Sequence, residues 1–281
     1  MSRTTIIAEI GENHVGDWDR ARQMVIAAAE AGADVVKIQS YLGSDVADDD
    51  PEKGWFTRVQ VPDMVHIELA ELARQHGVEF LSSPFTVERA QFLCERLGLR
   101  AIKIASSEML NRSLLEYVNR HADTVYLSTG MATLTEITDA LACLPDVARV
   151  VIMHCVTQYP LNDDDANLRA ILTLREAFPE RPIGYSDHTI GLVAPVAAVA
   201  LGACVIEKHF TLDKSLLGTD HLLSVTPQEL CTLVAQIRQT ERLLGTPDKR
   251  PVAAELAIRE AVRRRFAKEQ PRKATPHARA A

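Results

Sequence analysis

Two lysines stand inside apolar, β-like runs of the sequence, Lys37 in VVKIQS and Lys103 in AIKIAS. Lysine is almost never buried unpaired. Each therefore either runs its stem along an apolar wall to reach solvent or serves an anion. Hydroxyls close the neighbouring runs: Ser82 and Ser83, Ser106 and Ser107, Ser128 and Thr129, and Ser186. One such serine by itself reads as a turn or a cap. Two ammonium groups with several hydroxyl donors suit a phosphate or a carboxylate. His188 and His209 end two successive runs, and Glu207 lies two residues before His209, on the same strand face. A lone histidine is more often a satisfied core residue, but two imidazoles with a carboxylate or water suit Mn²⁺, Zn²⁺ or Fe²⁺. His154 sits within a run and reads as packing or support. Cys155 faces the other way by alternation and is expected to be an inert buried thiol. Glu9 ends the first run, where it can pair with Lys37, and such a pair is structural or catalytic.

These residues need elements that bring them together. Period-2 runs predict strands at 5–10, 35–39, 79–83, 101–105, 124–128, 149–155, 183–185 and 205–209. Helical periodicity predicts helices at 19–31, 63–76, 87–97, 113–121, 134–144, 167–177, 193–201 and 227–244. Strand and helix alternate strictly, which forces parallel pairing. Eight such units predict an α/β protein, a (β/α)8 TIM barrel over residues 1–245, with a doubly wound open sheet as the runner-up. Such a barrel carries its chemistry at the C-terminal strand ends, where all the residues above fall. Residues 43–62, after the second strand, are expected to be a long irregular loop of functional use. Residues 246–281 are expected to form a short basic helix and tail.

Composition narrows the possibilities. The chain has 281 residues, 47% hydrophobic and 25% charged, which excludes a disordered or collagen-like chain. The net charge is −7, yet residues 246–281 hold ten Lys/Arg against four Asp/Glu, so the acidity lies in the body. An acidic body argues against nucleic acid as the main ligand. The five cysteines are odd in number and widely spaced, with no C-x-x-C pair, and read as reduced thiols of a cytoplasmic protein. The N-terminus, MSRTTIIAEIGEN, does not read as a signal peptide. No run approaches the ~20 apolar residues of a membrane span.

Eight stretches, in order, resemble the sialic acid (nonulosonic acid) synthase family: IAEIGENHVGD, GADVVKIQSY, FLSSPF, AIKIASSEM, LSTGMAT, HCVTQYP, IGYSDHT and ALGACVIEKHFT. The resemblance spans residues 5 to about 245. It implies a barrel enzyme, a transferase that condenses phosphoenolpyruvate with the open-chain aldehyde of an N-acetylated amino sugar. It implies a divalent metal, Mn²⁺ or Mg²⁺, held by His188 and His209. Lys37, Ser83, Lys103, Ser106, Ser128, Thr157 and Ser186 would hold phosphoenolpyruvate. Ser83 replaces the family's usual Thr and keeps its hydroxyl, and Thr157 stands where some members have Asn. Glu9 would contact the sugar and position water or a proton. Glu207, Tyr159 and Asp220 would line the substrate side, so Glu9, Lys37, Lys103 and Glu207 are the expected catalytic set. The resemblance also implies a homodimer. Members commonly continue into a small antifreeze-like domain, which residues 246–281 do not resemble. Two alternatives follow: condensation with a different aldose or aldehyde, or a non-catalytic barrel subunit.

Overall fold

The computed structural model describes residues 3–266. The eight strands are β1 (Thr5–Gly11), β2 (Val35–Ser40), β3 (Glu79–Pro84), β4 (Ala101–Ile104), β5 (Thr124–Ser128), β6 (Arg149–His154), β7 (Ile183–Asp187) and β8 (Val205–His209). They form one parallel sheet in the order β3-β2-β1-β8-β7-β6-β5-β4. β3 packs beside β4 without a paired ladder, so the barrel is nearly closed. This is the (β/α)8 TIM barrel that the alternation predicts. The barrel's helices are α1 (Trp18–Glu30), α2 (Lys53–Val59), α3 (Asp63–Gln75), α4 (Val87–Gln91), α5 (Arg112–His121), α6 (Leu134–Ala142), α7 (Ala170–Ala177), α8 (Val193–Ala200) and α9 (Pro227–Leu244). No helix among the described residues is long and apolar enough to cross a membrane.

Alternation along each strand divides the core in two. In β1, Ile6, Ala8 and Ile10 belong to the shell packed against the helices, whereas Ile7 faces the barrel interior. Ile7, Val35, Leu81, Tyr126, Val151, Met153 and Val205 fill that interior as an apolar floor. The inward residue two positions further along is then the one that carries chemistry: Glu9, Lys37, Ser83, Ser128, Cys155 and Glu207. Gly184 is the inward residue of β7 beside Met153. A Cβ there would stand 2.3 Å from Met153 Sδ and 3.0 Å from Val205 Cβ, so glycine lets β7 close on β6 without displacing the Met153 side chain.

Local signals set the helix starts. Asp17 caps α1 by accepting from the Arg20 amide at 3.0 Å. Thr133 and Glu136 form a capping box on α6, each side chain bonding the other's backbone amide. The structure departs from the periodicity in three places. The helix expected over 87–97 is α4 followed by a π-helical turn, Phe92–Arg96. The helix expected from 167 begins at Ala170, after Asn167 at φ 44°. The segment 43–62 is not irregular. It holds a 3₁₀ turn, Gly43–Asp45, and then α2, which the sequence reading missed because seven residues are too few to show a period.

The chain divides after Leu244 into two compact units. The second unit contains α10 (Ala253–Arg264), whose last turn carries Arg263 and Arg264, where cations complement the helix dipole. The remainder of the expected basic tail, from residue 267, lies outside the described residues.

Candidate active site

The carboxyl ends of the strands surround a cleft of about 390 Å³. The side chains expected to hold substrate or metal line it, from Glu9 on β1 to Asp220 beyond β8, whereas two of the hydroxyls noted at the strand ends, Ser82 and Thr129, do not, and Thr129 Oγ1 bonds the Met153 carbonyl instead. Register explains the grouping. Glu9 stands opposite Lys37 on β2 and His209 on β8, and Ser186 stands opposite Glu207.

Two carboxylates thread between the two ammonium groups. Lys37 Nζ lies 2.7 Å from Glu9 Oε2 and 3.7 Å from Glu207 Oε2, and donates to Ser83 Oγ at 3.2 Å. Lys103 Nζ donates to Glu207 Oε1 at 2.9 Å, and Ser186 Oγ donates to the same oxygen at 3.0 Å. All four charged groups are buried. Burial favours a neutral Glu207, but Lys103 and Lys37 overcome it and bring the carboxyl down to about 2. Burial dominates at Glu9 and raises its pKa despite Lys37. Burial disfavours the Lys37 ammonium, but Glu207 and Glu9 outweigh it, and the pKa rises. For Lys103 burial prevails, and the pKa falls. The centre is thus an alternating chain of charges that an incoming anion can re-pair.

Hydroxyls ring this centre. Ser106 Oγ accepts from the Gly130 amide at 3.0 Å and lies 3.2 Å from Cys155 Sγ. Ser128 Oγ is buried without a partner, a donor held ready for a ligand. Cys155 is buried, as expected, but it sits in the wall of the cleft. His154 faces the helices, where it meets the Ala166 carbonyl and stacks on Tyr185.

The two imidazoles lie with ring centres 5.4 Å apart. His188 Nδ1 bonds the Val156 carbonyl at 2.7 Å. A carbonyl only accepts, so Nδ1 carries the proton and the Nε2 lone pair is free. Burial, then the neighbouring His209, lower the His188 pKa to about 4, which keeps the ring neutral near pH 7. His209 Nδ1 faces Asp220 Oδ2 at 3.3 Å. Burial lowers the His209 pKa, but Asp220 more than restores it. Anchoring one ring nitrogen on an acceptor is how ligating histidines are held, as Val156 holds His188, while His209 Nδ1 faces Asp220 without an aligned hydrogen bond; two adjacent imidazoles fit a divalent ion. No group of three or more His, Cys, Asp or Glu forms a ligand set among the described residues. An ion here would complete its shell with water and substrate oxygen, as Mn²⁺ and Mg²⁺ readily do. Tyr159 covers this pair, its ring 4.1 Å from that of His188.

Sequence reasoning missed other parts of the wall. Gln39 stands two residues after Lys37 on the same face, a position that alternation offers. Glu12, Glu52, Trp55 and Phe56 reach the cleft from the turn after β1 and from α2 with its N-terminal flank. Glu12 accepts from the Trp55 indole and from Tyr41 Oη. Asn13 and His14, also at the end of β1, turn away from the cleft. Asn13 bonds the Phe210 carbonyl and Ser224, and His14 is buried against Trp18. Behind the histidines, Lys208 and Asp187 form an ion pair of 2.7 Å, both side chains fully buried. They alternate with the inward residues of β7 and β8 and point to the outer shell.

Known proteins match this architecture. Residues 24–249 match the NeuB family. An N,N'-diacetyllegionaminic acid synthase of Legionella pneumophila is 39% identical over 280 residues, covering 92% of this chain and 78% of the relative. An N-acetylneuraminate-9-phosphate synthase of Mus musculus is 36% identical, covering 91% and 75%. A crystal structure of an N-acetylneuraminic acid synthetase from Leptospira borgpetersenii, in complex with citrate, superposes with a TM-score of 0.88 at 35% identity, covering 96% of this chain and 94% of that one. The chain belongs to the NeuB family, the sialic acid synthase family that its motifs resemble, and it is a carbon–carbon bond-forming transferase of that kind.

Proposed function

We propose that this enzyme condenses phosphoenolpyruvate with the open-chain aldehyde of an N-acetylated amino sugar, giving a 2-keto-3-deoxy nonulosonic acid and phosphate. One observation carries the reading: two lysines, a ring of serines and two free-edged imidazoles share a single barrel mouth. Lys37 and Lys103 would take the phosphate and carboxylate of phosphoenolpyruvate, exchanging their present partners, Glu9 and Glu207, for the substrate's charges. Ser83, Ser106, Ser128, Thr157 and Ser186 would add hydroxyl donors. His188 and His209 would hold Mn²⁺ or Mg²⁺, which polarises the aldehyde oxygen when bound.

In the reaction, a bond forms between C3 of phosphoenolpyruvate and the aldehyde carbon. Water adds at C2, and the tetrahedral intermediate collapses by breaking its C2–O bond to phosphate. The aldehyde oxygen ends as a hydroxyl, and water supplies the keto oxygen. Glu9, its pKa raised by burial, is placed to pass a proton at the sugar end. Glu207, which Lys103 and Lys37 hold ionised before substrate enters, is placed to stabilise positive charge developing at C2. Lys37 and Lys103 neutralise the departing phosphate. Phosphate release from phosphoenolpyruvate, measured with Mn²⁺ across a panel of aldoses, tests the reading. N-acetylated amino sugars should be the best acceptors. Release that no aldose stimulates would overturn the proposal.

A further inference from the structure

Three strand ends meet at one hydroxyl. Ser106 Oγ, in the turn after β4, lies 3.2 Å from Cys155 Sγ, just past the end of β6. The same oxygen accepts from the Gly130 amide, just past β5, at 3.0 Å. The Thr129 amide and Thr129 Oγ1 both donate to the Met153 carbonyl, at 3.1 and 3.0 Å, so the backbone that presents Gly130 is tied to β6 itself. Glycine leaves the space for the meeting. A Cβ at Gly130 would stand 2.8 Å from Ser106 Oγ and 3.0 Å from Cys155 Sγ. Cys155 lines the same cleft as Ser106 and Ser128, and Ser128 Oγ there is buried without a partner among the described residues. The condensation gives the thiol no role.

Counting hydrogen bonds at Ser106 gives it one. A serine hydroxyl has one donor and two acceptor lone pairs. The Gly130 amide takes one lone pair. The contact with sulfur can run in either direction, because both groups can donate. An oxyanion in the cleft fixes that direction. A hydrogen bond to an ionised acceptor is about twice as strong as a neutral one, and sulfur is a weak acceptor. The Ser106 O–H therefore goes to the anion, and its second lone pair takes the thiol proton. Donor and both lone pairs are then filled, which fixes the hydroxyl's rotation, and each bond in the chain polarises the next. An apolar side chain at 155 would leave that lone pair facing a buried wall with nothing to accept, which has a cost.

We propose that Cys155 is a positioning residue: its S–H donates to Ser106 Oγ and so turns the Ser106 hydroxyl onto an oxyanion of phosphoenolpyruvate. This rests on the condensation proposed above. The test measures kcat and KM for phosphoenolpyruvate in the full chain, with Mn²⁺ and N-acetylmannosamine. The variants are Cys155→Ala and Cys155→Ser, each made alone and together with Ser106→Ala. Both remove the sulfur's packing, but only serine keeps a donor. Cys155→Ala should raise KM by about three- to tenfold, the range of one neutral hydrogen bond, with kcat changed less than about twofold. Cys155→Ser should recover most of that loss. Once Ser106→Ala has removed the hydroxyl, alanine and serine at 155 should give the same KM. A Cys155→Ala variant with the parent's KM would overturn the proposal. Equal losses in the alanine and serine variants would do so too, because packing would then explain them. A difference between the two that survives Ser106→Ala would show that the thiol does not act through that hydroxyl. Each of these leaves the condensation standing. A parent enzyme that releases no phosphate with any aldose would overturn the condensation and this inference together.

Discussion

Replacing Lys208 by methionine removes one half of a buried ion pair while keeping most of the side chain's length and its packing. In the native protein Lys208 Nζ lies 2.7 Å from Asp187 Oδ2 and also donates to the Thr189 carbonyl. Asp187 Oδ1 accepts from Tyr185 Oη at 3.0 Å, the Thr189 amide at 2.9 Å and Thr189 Oγ1 at 2.8 Å. Both charged side chains are fully buried. The variant therefore leaves a carboxylate in the outer shell with one oxygen satisfied and the other bare. Breaking a buried pair in this way costs about 3–5 kcal/mol. For a domain of this size that is a fall in Tm of roughly 10 °C. Asp187 and Lys208 immediately precede His188 and His209 in sequence, so the pair also fixes how those two strand ends sit. Mn²⁺ affinity should weaken by about tenfold in the folded variant, as when a ligand's supporting partner is removed. Urea denaturation and calorimetric Mn²⁺ titration measure the two effects. In the double variant Asp187→Asn with Lys208→Met the stranded charge is gone, so the coupling should recover at least about 1.5 kcal/mol. A single variant that costs under about 1 kcal/mol, or a double variant equal to the sum of the singles, would refute the argument.

Three further outcomes are expected. Gly130→Ala would place a Cβ 2.3 Å from Thr157 Oγ1 and 2.8 Å from Ser106 Oγ, so KM for phosphoenolpyruvate should rise at least about tenfold with little loss of Tm, and an unchanged KM would remove both hydroxyls from the site. His188→Ala should stay folded and lose Mn²⁺ binding by calorimetry, and undiminished binding would remove the metal assignment. His14 and His66 are buried away from the cleft and their pKa values lowered to about 4, by burial first and then by His66 and Arg20 on His14, and by Arg89 on His66. The unfolded chain takes up these protons near pH 6.5, so stability should fall as the pH drops from about 6.5 toward 4, by about 3 kcal/mol for each histidine at the end of that window. A His66→Leu variant should shed part of this acid sensitivity, and urea melts at pH 7.5 and 5 that decline as in the parent would contradict it.

Alternation is a local property, and it made much of the protein legible. The period-2 runs around Lys37, Lys103 and Glu207 told which face each side chain takes. The strict order of strands and helices forced a parallel sheet with those faces inward. The side chains chosen for substrate and metal therefore converge without any tertiary information. What the sequence could not supply were partners from distant segments. The engagement of Lys103 with Glu207, 104 positions away, depends on the barrel closing. The free edge of His188 depends on a carbonyl 32 positions away. The Asp187–Lys208 pair faces outward, where an ion pair has no sequence signature, and only the helical shell makes it buried. The short α2 carries Trp55 to Glu12, just past the end of β1, a contact that periodicity does not announce. Local pattern fixed which way each residue points. Charge pairing and burial are sums over neighbours in space, and only the closed fold determines them.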